Sequence, residues 1–428
     1  MKEILSIIFS IPLFFFIFSF PVNCFNYKVF RLKKINLFET VLINIILHTN
    51  ILLVISFLNF NLNYIFLTYI SLALIFFVYF YKEYFKYFIN NYLYFFLFFF
   101  FCFSFFLEIA QNAHMNWDGV AHWFYKVQNF YQGGSIDKLN NVPLNHYPHL
   151  GSYIWAFFWK NSFLNYEYFG RFFYVFFFLI IIFSIISSQK EFTDIEKYFL
   201  IFTVVILSTD FYLLGGYQEY LLFFAFASFV YLLLSLKKNN IFFIQILVLL
   251  SSNIILWTKQ EGIFYFIILF TVFNIHSSQE KKRKLLLIFL FFTLFLIFIF
   301  TKFFIFEEFK LTEKVSFFQF INEFDFILFI KKIILIFKYI FISFFKNLIW
   351  LPILLSFLFL LRKKIFLSQN FFFITFFVLS FGFIFSIFIF TKFDLNWLLS
   401  VSLSRLLFGL SGFFIFLLLP FLKIYKKK

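Results

Sequence analysis

Charge is scarce in this chain. Only 13% of its 428 residues are Asp, Glu, Lys or Arg, against 63% hydrophobic and 29% aromatic. Mean hydropathy is +0.94. No soluble globular domain can hide that much apolar surface, so the composition excludes one and points to an all-α chain that crosses a membrane many times. Cysteine is scarcer still. Cys24 and Cys102 are the only two, which leaves no cysteine metal cluster and argues against a disulfide framework. A phosphate-binding glycine pattern, zinc-type His/Cys spacing, a low-complexity linker and a clean internal repeat are all missing from the sequence.

What is present in excess needs a plain reading first. The 91 Phe residues reflect AT-rich codon usage rather than an aromatic ligand site. The formal net charge of +16 would suggest a nucleic-acid partner in a soluble protein. Here the Lys and Arg fall in short clusters between apolar runs, as positive-inside orientation and contact with anionic lipid headgroups require. No nucleic-acid partner is expected. The first 20 residues lead into Pro-Val-Asn-Cys and a basic patch, so they read as a retained span rather than a cleavable leader, and a lipobox at Cys24 is poorly supported.

Spans are predicted at about 4–22, 38–56, 61–80, 91–108, 170–187, 198–212, 219–236, 241–256, 262–275, 285–304, 371–390 and 405–422. Most are long enough, at about 1.5 Å per residue, to cross most of a ~30 Å hydrocarbon layer. Region 326–361 is read as one crossing plus an interfacial helix that keeps its Lys on the polar face. Roughly twelve spans in one transmembrane domain (1–428) result, with 1–90 as an N-terminal group. Basic connectors after spans one and three, at 189–197, 237–240, 280–284 and the tail place those segments in the cytoplasm. Residues 109–169 then face outward, as does an acidic segment, 305–325.

That first outward segment is the polar island of the chain. Four of six His, two of six Pro and four of seven Trp fall between His114 and Trp159. A loop this long is normally a lid or a binding element. Within it, Asp118 precedes Val120, Trp123, Phe124, Val127 and Phe130 at helical spacing, which predicts an interfacial helix over 119–131. Asp118 reads either as that helix's N-cap or as a general base or metal ligand. His122 and Lys126, four apart, read as phosphate contacts or as surface polar residues. His146-Tyr147-Pro148-His149 is a stiff run that ends at a further helix near Leu150. It serves as a phosphate or sugar contact, or simply as a helix-start turn.

Other isolated charges sort to the same outward face: Asp210, Glu219, Lys259, Glu261, Asp394 and Arg405. Singly, each is a snorkelling interfacial charge. As a set on one face beside a long loop, they suggest a cleft, because charges near hydrocarbon are costly and tend to be paired or functional.

These residues carry a resemblance. Asn116-Trp117-Asp118-Gly119, Ala121-His122-Trp123 and the Tyr147-Pro148 run resemble the first large periplasmic loop of bacterial C-type-fold (GT-C) membrane glycosyltransferases. Those include protein O-mannosyltransferase-like and aminoarabinose-transferase-like proteins. Tyr217-Gln218-Glu219, Lys259-Gln260-Glu261-Gly262 and Leu395-Asn396-Trp397 with Arg405 resemble later elements of the same family, in order. The resemblance implies a GT-C-like fold in a bacterial inner membrane with the active site facing the periplasm. It also implies transfer of a sugar from a polyprenyl-phosphate donor to a glycan, lipid or protein acceptor. Asp118 takes the catalytic place. Lys259, Arg405, His149 and Lys126 are candidates for the donor phosphate. Glu219, Glu261, His122, His146, Tyr147 and Asp394 are candidates for sugar or acceptor, and an optional divalent cation would sit at Asp118 and Glu219. The chain departs from the pattern at Gly119, where many relatives carry a second acid, and in having about three spans, within the N-terminal 80 residues, before the one that leads into the loop. Rival readings are an O-antigen polymerase or ligase and a lipid-linked glycan flippase. Arg405 is the single Arg beyond residue 365, which disfavours the arginine pairs of the first. No inverted repeat supports the second.

Overall fold

The computed structural model describes residues 2–20, 36–236, 242–276, 281–304, 325–362 and 371–420, with Leu422. The basic patch at 31–34, Cys24, the clusters at 237–240 and 363–364, most of the acidic segment 305–325, and the basic tail lie outside the described residues. Among the described residues, sixteen α-helices of seven residues or more carry the architecture, and there is no β-sheet. They are α1 (Lys2–Ser19), α2 (Leu37–Ser56), α3 (Leu62–Asn90), α4 (Tyr92–Gln111), α5 (Tyr125–Tyr131), α6 (Leu150–Lys160), α7 (Phe172–Ser187) and α8 (Asp194–Ser208). The second half holds α9 (Glu219–Leu236), α10 (Phe242–Leu256), α11 (Gly262–His276), α12 (Lys281–Phe304), α13 (Phe326–Lys346), α14 (Trp350–Arg362), α15 (Phe371–Ile389) and α16 (Ser404–Phe414).

Among the described residues, eight helical segments are long and apolar enough to cross a bilayer, and four shorter apolar helices accompany them. The chain is therefore a polytopic, all-α membrane protein. Backbone polar groups in hydrocarbon must be satisfied within the segment, which is why helices alone carry the span. The predicted span at 61–80 runs on as α3 to Asn90, with a kink at Phe80. Region 326–361 forms two helices, α13 and α14, with a break at 347–349.

The centre of the bundle is α7 and α9. Every residue from Phe172 to Ile186 is buried, and α9 is buried from Tyr220 through Val230. Helices α2 and α4 pack on α7, while α10 and α16 pack on α9. By contrast, α3 buries only Leu62, Ile65, Tyr69 and Ala73, so most of its surface is left to lipid. Aromatic rings fill the core in offset and edge-on pairs, such as Phe376 stacked on Phe413 at 3.6 Å.

One packing detail sets up the site. Between membrane helices, small residues let backbones approach closely. Gly412 of α16 faces the backbone of Phe223 of α9, and a Cβ there would lie 2.4 Å from the Phe223 carbonyl oxygen. Gly409 meets Leu222 in the same way, at 3.3 Å. One turn before Gly409 is Arg405, and one turn before Phe223 is Glu219, so this contact brings the two charges together. Gly412→Val is therefore expected to lower stability by about 1–3 kcal/mol through overpacking. A fall in the melting temperature of the purified protein checks this, and an unchanged value would refute the tight crossing.

Candidate functional site

The charges that sequence reading collected from distant parts of the chain meet at one end of the bundle. Arg405 donates a guanidinium hydrogen bond to the Asp118 carboxylate, across 287 positions of sequence. Its Nε lies 4.0 Å from Glu219 Oε1. The same Glu219 oxygen accepts from Lys259 Nζ at 2.9 Å. Glu261 adds a second negative charge near Lys259, and His122 Nδ1 lies 3.8 Å from Asp118. The Arg405 guanidinium also covers the face of the Tyr217 ring, 4.7 Å from its centroid, and the Tyr217 hydroxyl meets that of Tyr212 at 3.0 Å. Acid and base thus alternate: Asp118, Arg405, Glu219, Lys259, Glu261.

Burial makes this arrangement energetically significant. Glu219 is 1% exposed and Lys259 8%. Removing one member of a buried pair costs about 3–5 kcal/mol, because the other is left uncompensated. Burial alone would raise the Asp118 carboxyl. Arg405, through charge and hydrogen bond, with His122 and Lys259, outweighs it and holds Asp118 below the usual carboxylate range. At Lys259, burial is outweighed by Glu219 and Glu261, so the ammonium is held above the usual lysine range.

Local backbone explains why Asp118 points here. It does not cap the following helix: its backbone is already helical and its side chain makes no capping bond. The turn after it, Gly119–Phe124, is π-helical before α5 begins. A second π turn, Leu399–Leu403, leads into Arg405 from the other side. Such insertions are found mostly as single turns at functional sites. Here two of them flank one ion pair. Gly119 answers a different need from the second acid seen in the resembling family. Its backbone crosses that of Gly215 and Gly216, and a Cβ on it would come 2.5 Å from the Gly215 carbonyl oxygen. The Asn116 amide donates to that same carbonyl at 2.8 Å. Gly216 has φ +103°, a conformation that suits glycine.

Two positioning residues were given no role of their own by the sequence. Arg171, buried at the head of α7, bonds Glu167 Oε1 at 3.1 Å and the Ala113 carbonyl at 2.9 Å. It also reaches the His114 and Leu214 carbonyls at 3.4 Å. The start of the long loop and the 211–216 turn are thereby tied to the central helix. Tyr217 stands in the motif before Glu219, but its place under the Arg405 guanidinium was not marked by the pattern. A glutamate four residues before an arginine at a span's start was the available signal for Arg171.

The remaining predicted residues lie apart from this network. Lys126 is wholly buried and its Nζ donates to the Tyr147 carbonyl at 2.7 Å. Burial, reinforced by Lys302, pushes it well below the usual lysine range. His149 is also buried, with Nε2 2.7 Å from Ser56 Oγ of α2. Burial, then Lys302 and Lys126, pull its ring well below the usual histidine range. The His146 carbonyl accepts a bond from Lys302 of α12. Tyr147 stacks on His122 with centroids 5.0 Å apart, so it joins the two groups. The π turn separates His122 from Lys126: one faces Asp118 and the other faces inward. Asp394 caps Leu395–Leu398 through the Trp397 amide at 2.7 Å, on the exposed surface. Asp210 caps the turn at 211–214, and burial raises its carboxyl.

Among the described residues no group of three or more His, Cys, Asp or Glu is placed to hold a metal ion. A shallow apolar crevice, lined by Ile182, Ile186, Val204 and Leu418 among others, opens near the far ends of α7 and α16, away from the charges. No protein-family model, curated protein or solved structure matches this chain. What fold and site define together is a class: a multi-pass, all-α membrane protein with a buried ion network at one end of its bundle.

The lowered Asp118 group carries a signed pH consequence. Its contribution to stability is present above the unfolded carboxylate value, about 3.9, and is lost as pH falls through the lower folded value. Between about pH 5 and pH 3 the parent protein is therefore expected to lose more melting temperature than Asp118→Asn. Equal losses would place Asp118 outside the network.

Proposed function

We propose that the chain is a membrane glycosyltransferase that moves a sugar from a polyprenyl-phosphate-linked donor to a hydroxyl of an extracytoplasmic glycan, lipid or protein. The observation that carries this reading is the ion network of Asp118, Arg405, Glu219 and Lys259. Four stretches of chain supply it, and it sits beside the loop that bears the family-like motifs. A chain this poor in charge gains little stability from such a network, since a buried ion pair is often no better than apolar packing. Retaining it fits a chemical role.

The chemistry runs as a single displacement. An acceptor hydroxyl oxygen attacks the anomeric carbon while the bond from that carbon to the phosphate oxygen breaks. The hydroxyl proton passes to Asp118, and polyprenyl phosphate leaves with the bonding electrons. Paired with Arg405, Asp118 is ionised but weakly basic. An arriving phosphate competes for Arg405, since guanidinium binds phosphate and carboxylate alike. Drawing Arg405 away raises the basicity of Asp118 when donor is present. Glu219 and Glu261 serve sugar hydroxyls or an optional divalent cation, and Lys259 keeps Glu219 charged. His122 stacked on Tyr147 offers a flat edge for the sugar.

The test is genetic and analytical. A deletion strain is expected to lack one sugar from an envelope glycan and to accumulate its lipid-linked donor, as read by mass spectrometry. Parent protein restores the sugar. Asp118→Asn is expected to restore less than about 1% of it, in line with the 10²–10⁴-fold worth of a general base. Full restoration by Asp118→Asn would remove the base from this account.

A further inference from the structure

We propose that α13 is a docking helix for anionic phospholipid headgroups, and that its C-terminal end passes this contact on to the Asp118–Arg405 pair. α13 is 21 residues long, carries four lysines and holds no acidic residue. At about 3.6 residues per turn its side chains sort into strips. Ile336, Ile340 and Ser343 are buried against the protein. Ile334, Phe341 and Phe345 are more than half exposed. Lys331 and Lys338, two turns apart, stand between those two strips and are exposed. Neither meets a carboxylate among the described residues. A soluble acidic partner would match the lysines and leave the apolar strip uncovered. A bilayer with anionic headgroups matches both, with hydrocarbon against the apolar strip and negative charge at its edge.

The course of the helix agrees. Lys332 donates to the Ile389 carbonyl, at the end of α15, at 3.0 Å. Trp350, just past the end of α13, meets Phe381 of α15, only two turns farther in. At 1.5 Å per residue α13 is about 30 Å long, whereas two turns of α15 are about 11 Å. α13 therefore crosses this end of the bundle obliquely instead of running alongside α15.

The far end of α13 reaches both halves of the ion pair. Asn347, its C-cap, donates its side-chain amide to the Ser404 carbonyl at 2.8 Å, next to Arg405. The π turn Leu399–Leu403 packs on α13 as well. The Ile349 amide donates to the Leu207 carbonyl at 3.0 Å, and Asp210, three residues on, caps the turn at 211–214. That turn leads to Gly215 and Gly216, on which Gly119 is packed. One helix end thus supports the backbone behind Arg405 and the turn behind Asp118. The effect on transfer rests on the proposed function: a headgroup that steadies α13 steadies the guanidinium that holds Asp118.

The experiment uses purified full-length protein in nanodiscs of phosphatidylcholine, alone or with phosphatidylglycerol. It reads lipid retention by native mass spectrometry, and melting temperature. Phosphatidylglycerol is expected to be retained in preference and to raise the melting temperature. Lys331→Gln and Lys338→Gln, both on the surface, are each expected to weaken its retention about fivefold, and the double variant more than about tenfold. Equal retention of the two lipids overturns the proposal. So does a preference that the double variant keeps. A dimer that Phe341→Asp dissociates, with no lipid preference, assigns the face to a second copy and overturns it too. For the link to the ion pair, Asp118→Asn is expected to show a smaller rise with phosphatidylglycerol than the parent, because coupled sites do not add. A rise of equal size overturns that link. Sugar transfer is read in none of these arms, so failure of the transfer reading leaves their outcomes untouched, and their failure leaves that reading standing.

Discussion

Arg405 stands between two carboxylates, Asp118 and Glu219, and the rest of this end of the molecule is arranged to keep it there. A guanidinium cannot be deprotonated in a protein. Half-buried between helices, it must therefore be answered by negative charge. The long loop brings one answer and the head of α9 brings the other. Glu219 in turn needs Lys259, which bonds the same oxygen that faces Arg405. The chain of dependence reaches back into the bundle. Close packing of Gly412 and Gly409 on α9 sets how far Arg405 lies from Glu219. The crossing of Gly119 over Gly215 and Gly216 sets where the loop presents Asp118.

The two clusters of basic residues differ in kind, and the difference bears on function. Around Asp118, charge is balanced within the protein, so the network is formed before any ligand arrives. Preorganised groups of this sort act on charge that develops during a reaction. Lys126 instead meets the Tyr147 carbonyl and lies over the rings of Trp123 and Tyr147. Linkage of the two clusters through the stacked rings of His122 and Tyr147 makes the long loop the shared wall of both. Ser56 of α2 reaches that wall through His149, so the N-terminal helices contribute to the site's surroundings.

Much of this was legible in the sequence because charge is so rare in it. With 20 acidic residues in 428, each isolated carboxylate stands out, and alternating sidedness assigned Asp118, Glu219, Lys259, Glu261 and Arg405 to one face. Most spans emerged from hydropathy alone. What stayed hidden has physical causes. A π turn adds one residue to a helical turn without changing composition, so the divergence of His122 from Lys126 could not be seen in their four-residue spacing. Lys302 looked like the basic end of a span, and its burial depends on a turn 156 positions earlier. The helix break at 347–349 separates two apolar stretches, and Pro352 in the first turn of α14 is the one local mark of it. Its amide satisfaction is tertiary, the Ile349 amide donating to the Leu207 carbonyl.

The most direct test of the central claim uses purified protein in vesicles loaded with a radiolabelled polyprenyl-phosphate sugar and a pool of envelope acceptors. The account predicts that label leaves the lipid and appears on an acceptor, with free polyprenyl phosphate formed in equal amount. Label that stays on the lipid but changes bilayer leaflet would contradict it and make the molecule a transporter.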